Sequence, residues 1–167
     1  MMNYEHIVHP FGPLYDEKSK VLVLGSLPSV KSREQQFFYG HPQNRYWPLL
    51  ADIFEEEIPG TIEEKKKLVL KHHIAMWDTI YSCDIKGSSD SSIKNVQPTN
   101  LKKIAEESGI THVVCNGKTS GSYYHKYQEK ELGIKAIVLP STSPANAAWN
   151  MERLKEAWYV IRELAEC

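Results

Sequence analysis

Cysteine is scarce in this chain and never paired. Cys83, Cys115 and Cys167 are its three cysteines, far apart and without a CxxC, which argues against a disulfide framework, a structural zinc site or an iron–sulfur cluster. They are expected to be ordinary thiols, two of them in or near the core. His41 and the pair His72-His73 lack companions at zinc-ligand spacing, so no metal and no cofactor is expected. No apolar stretch approaches the length of a membrane span, and the opening Met1-Met2-Asn3-Tyr4-Glu5-His6 has no basic start followed by an apolar run. The expectation is a cytoplasmic protein, nucleoid-associated in a prokaryote or alternatively nuclear, with no membrane partner. An excess of charge of either sign is missing too: 20 Lys and Arg stand against 21 Asp and Glu, a net charge of -1. Nucleic-acid binding would therefore have to come from local basic groups rather than from the overall field. Lys31, Arg33, Arg45, Lys86, Lys94 and Lys118 are candidates, though taken singly each reads as solvated surface. Phosphate-loop spacing is absent, because Gly117-Lys118-Thr119 lacks its upstream glycine.

What is present suits one domain. The 167 residues, 41% of them hydrophobic, can supply one sizeable core, and residues 1–167 are read as a single domain and a monomer. Four apolar runs have strand character, at 21–24, 74–77, 112–115 and 136–139. Between them, segments 47–55, 61–71, 100–107 and 119–132 have helical spacing or composition, and 146–165 closes the chain as a helix. This alternation predicts an α/β fold: a three-layer α/β/α sandwich around a four-stranded, mainly parallel sheet. Polar or Gly/Pro/Ser-rich loops follow the strands, at 25–43, 82–98, 116–121 and 140–146. They converge on the carboxyl rim of the sheet, where open α/β folds collect ligands.

The richest stretch runs from Val21 to Trp47. A buried-looking strand breaks at Gly25-Ser26-Leu27-Pro28-Ser29 and soon reaches Phe37-Phe38-Tyr39-Gly40-His41-Pro42-Gln43-Asn44-Arg45-Tyr46-Trp47. A site for one flat base needs this order: a tight turn, an aromatic face, an amide that donates and accepts, and a guanidinium suited to phosphate. Each residue has a plainer reading. Tyr39 either stacks on a ligand or joins Phe37 and Phe38 in the core. Asn44 either acts on a ligand or caps the helix that follows. Asn116, at the end of the third strand, is a second amide candidate or a turn residue, and Asp78 meets a ligand edge or is a buried polar group paired to backbone. A serine hydrolase using Ser26, Ser29 or Ser141 would need a nucleophile elbow and a histidine partner that the sequence does not offer.

Gly25-Ser26-Leu27-Pro28-Ser29 together with the downstream Gly40 to Trp47 stretch resembles the first motif of the uracil-DNA glycosylase superfamily, especially its mismatch-specific and hypoxanthine-DNA glycosylase branches. Val138-Leu139-Pro140-Ser141-Thr142-Ser143-Pro144-Ala145-Asn146-Ala147 resembles the second motif. With Trp77-Asp78 and residues 87–95, the resemblance covers most of the chain. Most of the superfamily places Asp or Asn where Leu27 stands, to orient water, and several members have His where Ser141 stands. These departures point away from strong uracil excision and toward the hypoxanthine-DNA (deoxyinosine) glycosylases. In that family the resemblance implies a catalytic role for Asn44. It further implies a monofunctional base-excision-repair enzyme that flips a deaminated base out of double- or single-stranded DNA. Asn116 would be the second catalytic amide. Tyr39, Gly25, Ser26, Leu27, Pro28 and Asp78 would receive the base, while Arg45, Ser141, Thr142, Ser143, Pro144, Ala145 and Asn146 would contact DNA or wedge into it. A uracil- or mismatch-directed enzyme and a non-catalytic base-binding module remain as alternatives.

Overall fold

A computed structural model describes residues 3–167. In chain order its strands are β1 Glu5–Val8, β2 Val21–Gly25, β3 Ile74–Asp78, β4 Ile80–Ile85, β5 Lys94–Pro98, β6 His112–Asn116 and β7 Ile137–Leu139. Its helices are α1 Val30–Gln35, α2 Tyr46–Ile53, α3 Ile62–Lys71, α4 Leu101–Glu107, α5 Lys118–Tyr127, α6 Glu129–Leu132, α7 Met151–Trp158 and α8 Val160–Glu166.

The apolar runs form the centre. Every residue of β2 and β3 is buried, the pattern expected of parallel strands covered on both faces. They lie in a four-stranded sheet of order β3-β2-β6-β7, parallel throughout, with Val21 opposite both Ile74 and His112. Helix α3 packs on β3, α8 on β2, and α5 on β6 and β7. The chain moves from β2 to β3 on one side and then returns to β6 on the other. The connections therefore diverge at the carboxyl ends of β2 and β6, and a crevice opens there.

A second, three-stranded antiparallel sheet of order β1-β4-β5 corrects the expected loop over residues 82–98. Apart from β4, which is mostly buried, its strands are short and largely solvated, β5 almost wholly so, and therefore lack the apolar run that announces a buried strand. They cover a small cluster of Ile80, Cys83 and Ile85, against which Leu27 packs. Strand β4 starts directly after β3, with Thr79 between them. Thr79 and Ile80 N–H donate to the carbonyls of Gly25 and Ser26 at 2.8 and 3.0 Å. The turn after β2 is thus bonded to the junction of the two sheets.

Three helical expectations shift. Helix α1 appears within the 25–43 loop, capped by the Ser29 hydroxyl, which accepts from Ser32 N–H. The 119–132 helix breaks at Gln128, whose buried amide donates to the Thr79 and Thr99 carbonyls at 3.1 and 3.0 Å. The last helix begins at Met151 rather than near 146, because Asn150 caps it by accepting from Arg153 N–H at 2.9 Å, and Tyr159 divides α7 from α8. Cys83 and Cys115 are buried and Cys167 is exposed. Burial pushes the Cys115 thiol up to about 11. Among the described residues, no helix is long and apolar enough to cross a membrane.

Candidate active site

At the switch point lies a cleft of about 410 Å³, within the range of sites that hold small ligands. Its walls are the turn after β2, the 38–44 segment, the ends of β3 and β6, the 87–90 loop and the loop after β7. Of the expected site residues, all but Arg45 and Asn146 line it.

Two amides meet there through one hydroxyl. Asn44 Oδ1 accepts from Tyr46 N–H and from the Thr142 hydroxyl, both at 2.9 Å. Asn116 Oδ1 accepts from Thr142 N–H at 3.0 Å, and Asn116 Nδ2 donates to Thr142 Oγ1 at 3.0 Å. A backbone N–H can only donate, so each amide oxygen is identified by its partner. The capping reading of Asn44 is half right. Arg45 is the cap residue of α2 and makes no side-chain cap, whereas Asn44, one residue earlier, binds the first helical N–H. Gly117 sits at φ +96 between β6 and α5, and a Cβ there would meet Ser141 Cβ at 3.2 Å. Glycine therefore lets these two loops close on each other.

A histidine that the sequence reading missed reaches the opposite wall. His9 Nε2 donates to Asp78 Oδ2 at 2.6 Å, and both side chains are buried. The His9 ring lies against Trp77 and Phe11, with centroids 4.2 and 4.6 Å away. Nothing local distinguishes His9 in the sequence; its role arises from a contact spanning 69 positions. Both readings of Asp78 apply, since it is buried and lines the cleft, with its hydrogen-bond partner a histidine rather than the backbone.

Tyr39 lies between its two readings. Phe37 and Phe38 are buried in the core, but Tyr39 lines the cleft with its ring tilted 30° against Tyr46, centroids 4.2 Å apart. Its φ of +52 is a left-handed conformation that a bulky residue rarely adopts and that costs about 1–3 kcal/mol. Its hydroxyl is buried beside Asp78 and Asn116. Burial, reinforced by the Asp78 charge, raises its pKa far above the ordinary phenol range.

Arg45 is found in a different role from the phosphate contact expected of it. Its guanidinium donates to the carbonyls of Thr142, Ser143, Asn146 and Trp149, and its backbone N–H donates to Thr142 O at 3.1 Å. It clamps the loop after β7. That loop also braces itself: Ser143 N–H donates to Ser141 Oγ, Ala145 N–H to Ser143 Oγ, and Asn146 Nδ2 to Ser141 O. The Trp158 indole ties its start, Pro140 O, to α7 at 2.8 Å. Thr142 is fully buried, so the phosphate contact expected of its hydroxyl is corrected to an internal bond. Asn146 is likewise turned onto its own loop rather than into the cleft. Pro144 and Ala145 line the cleft, Ala145 being exposed. Arg33 and Lys118 are the basic side chains in the lining. Among the described residues, no three His, Cys, Asp or Glu side chains gather as metal ligands would.

A family model for the uracil DNA glycosylase superfamily matches residues 13–165. The chain is 33% identical over 154 residues to a protein of Methanosarcina acetivorans named hypoxanthine DNA glycosylase, covering 91% of this chain and 96% of that one. A Methanosarcina barkeri protein of the same name is 30% identical over 150 residues, covering 89% and 93%. The solution NMR structure of a Methanosarcina acetivorans protein described as a candidate uracil DNA glycosylase superposes with a TM-score of 0.81 at 30% identity, covering 95% of this chain and 99% of that one.

Proposed function

The chain belongs to the uracil DNA glycosylase superfamily, and on that premise we propose that it is a monofunctional glycosylase that hydrolyses the N-glycosidic bond of a flipped deaminated base, hypoxanthine in deoxyinosine, and leaves an abasic site. The observation that carries the reading is the polarity of the cleft. Breaking the bond develops negative charge on the leaving base and positive charge on the sugar, so donors aimed at the base and a carboxylate nearby favour the transition state. Asn44 has its oxygen committed and its Nδ2 free of hydrogen bonds among the described residues. Asp78 supplies an acceptor from the other wall.

Hypoxanthine carries a ring N–H next to a carbonyl oxygen, and adenine carries the opposite polarity at the same two positions. An acceptor plus donors therefore fits hypoxanthine and opposes adenine. Tyr39 would offer the stacking face, and Arg33 and Lys118, both in the cleft lining, would supply positive charge for phosphates beside the extruded nucleotide. An amide is a poor base near neutral pH, so the reading assigns Asn44 to electrostatic stabilisation rather than proton abstraction. The names of the two relatives support the choice of base. Uracil has an edge of the same polarity, which keeps a uracil-directed enzyme as the second reading.

The test is base release from end-labelled duplexes and single strands bearing one deoxyinosine, one deoxyuridine or only normal bases, followed by alkaline cleavage. Release from deoxyinosine is expected. Release from deoxyuridine alone transfers the assignment to the second reading, and binding without release makes the protein a base-recognition module. Gly25 offers a check on where the base sits. An added Cβ would lie 2.5 Å from Asp78 Oδ1 and 3.2 Å from the Tyr39 hydroxyl, so one of them has to move. Gly25→Ala is expected to slow single-turnover release by up to about 10²-fold, the scale of a misplaced reacting group. A full rate in that variant would remove the Asp78 and Tyr39 corner from the base pocket.

A further inference from the structure

We propose that Thr142 is a positioning residue that, itself anchored by Asn116, fixes the direction of the Asn44 amide, so that Asn44 presents an N–H group rather than its oxygen to the base. The proposal rests on the glycosylase reading and adds to it the device that sets the polarity of the site.

A side-chain amide has two nearly identical ends, and little but its hydrogen-bond partners decides which end faces a cleft. Here the decision propagates through one hydroxyl. Thr142 N–H donates to Asn116 Oδ1 at 3.0 Å, so Asn116 turns its Nδ2 toward Thr142 Oγ1, also at 3.0 Å. The oxygen of that hydroxyl is then an acceptor, and its single proton points to Asn44 Oδ1 at 2.9 Å. Tyr46 N–H fixes the same oxygen from the other side at 2.9 Å. Reversing Asn44 would set its NH₂ against Tyr46 N–H and take away the acceptor of the Thr142 hydroxyl proton. Reversing Asn116 would set its NH₂ against Thr142 N–H.

The hydroxyl is itself held still. Thr142 is fully buried, and its carbonyl accepts from Arg45 N–H at 3.1 Å and from Arg45 Nε at 3.3 Å. Arg45 thus holds Thr142, and Thr142 holds the Asn44 amide. One buried hydroxyl with both lone-pair and proton roles filled is a connected network whose members orient one another. Such coupling is read by non-additivity between variants.

The experiment compares Thr142→Val, which keeps the shape and removes the hydroxyl, with Thr142→Ser, which keeps the hydroxyl. Single-turnover release from a deoxyinosine duplex is measured beside duplex affinity and thermal unfolding. Thr142→Val is expected to lose about 10²-fold in rate, the scale of a misoriented catalytic group, with affinity retained. Thr142→Ser should stay near the wild-type rate. Adding Thr142→Val to Asn44→Ala should slow the residual reaction no further. A wild-type rate in Thr142→Val, or a double variant slower by the full single-variant factor, overturns the proposal.

A measurement on the unaltered protein covers the case in which Thr142→Val does not fold. The Thr142 hydroxyl proton should exchange slowly and show a nuclear Overhauser contact to the Asn116 side-chain amide protons. A hydroxyl in fast exchange with water overturns the proposal. Wild-type protein that releases neither hypoxanthine nor uracil would instead refute the glycosylase reading, and the same proton would still decide the placement of Thr142.

Discussion

Asn44→Ala is expected to lower single-turnover base release by about 10²–10³-fold, the usual loss when one donor to a developing anion is removed, while duplex affinity stays close to wild type. The variant also leaves Tyr46 N–H and the Thr142 hydroxyl without their acceptor, so a modest fall in stability accompanies the loss. Asn44→Asp separates two roles that the alanine variant merges. Aspartate can still accept from Tyr46 N–H and Thr142, but it offers an oxygen where asparagine offers an NH₂. If Asn44 works as a donor to the base, Asn44→Asp is as slow as Asn44→Ala. An aspartate variant that matches or exceeds the wild type would instead assign Asn44 to orienting water through an acceptor. Base release at high enzyme concentration, with binding followed separately, decides between them.

His9→Ala has the second large effect, and it falls first on stability. The 2.6 Å bond between buried His9 and buried Asp78 leaves a stranded carboxylate when the imidazole is removed. Breaking a buried pair from one side costs about 3–5 kcal/mol. At roughly 2–4 °C per kcal/mol for a chain of this size, that is a fall in Tm on the order of 10 °C. The double replacement His9→Leu with Asp78→Leu removes both polar groups, and such exchanges are often neutral for stability. It should recover most of the Tm and still fail to release base, because the cleft has lost its acceptor. A double variant that is both stable and active would show that Asp78 serves the fold alone. Calorimetric melts paired with single-turnover assays read both quantities.

Much of the frame was legible. The four apolar runs read as strands became β2, β3, β6 and β7 of the parallel sheet, because strands buried on both faces are apolar at every position. Tyr39, Asn44, Asp78 and Asn116 could be named as candidates for the cleft because each lies at a strand end or in an aromatic cluster. The second sheet was hidden for the opposite reason. Strands β1 and β5 are solvated, and β1 recognises β4 across the chain, Glu5 opposite Ile85, so no local periodicity marked them. Asn150 replaced Asn146 as the start of the last helix because the clamped loop uses Asn146 internally.

Arg45 and Thr142 mark the boundary between the two kinds of knowledge. By itself the sequence determined that a parallel α/β sheet would form and that the chain resembles a base-excising family, and it named two amides, an aromatic ring and a carboxylate as candidates for the carboxyl rim. Burial and periodicity are local properties that short segments carry with them. Only the tertiary structure decided that Arg45 grips carbonyls, that His9 holds Asp78, and that the Thr142 hydroxyl meets the Asn44 oxygen from 98 positions away. Hydrogen-bond direction belongs to a pair of groups, and the pair exists only once the chain has folded.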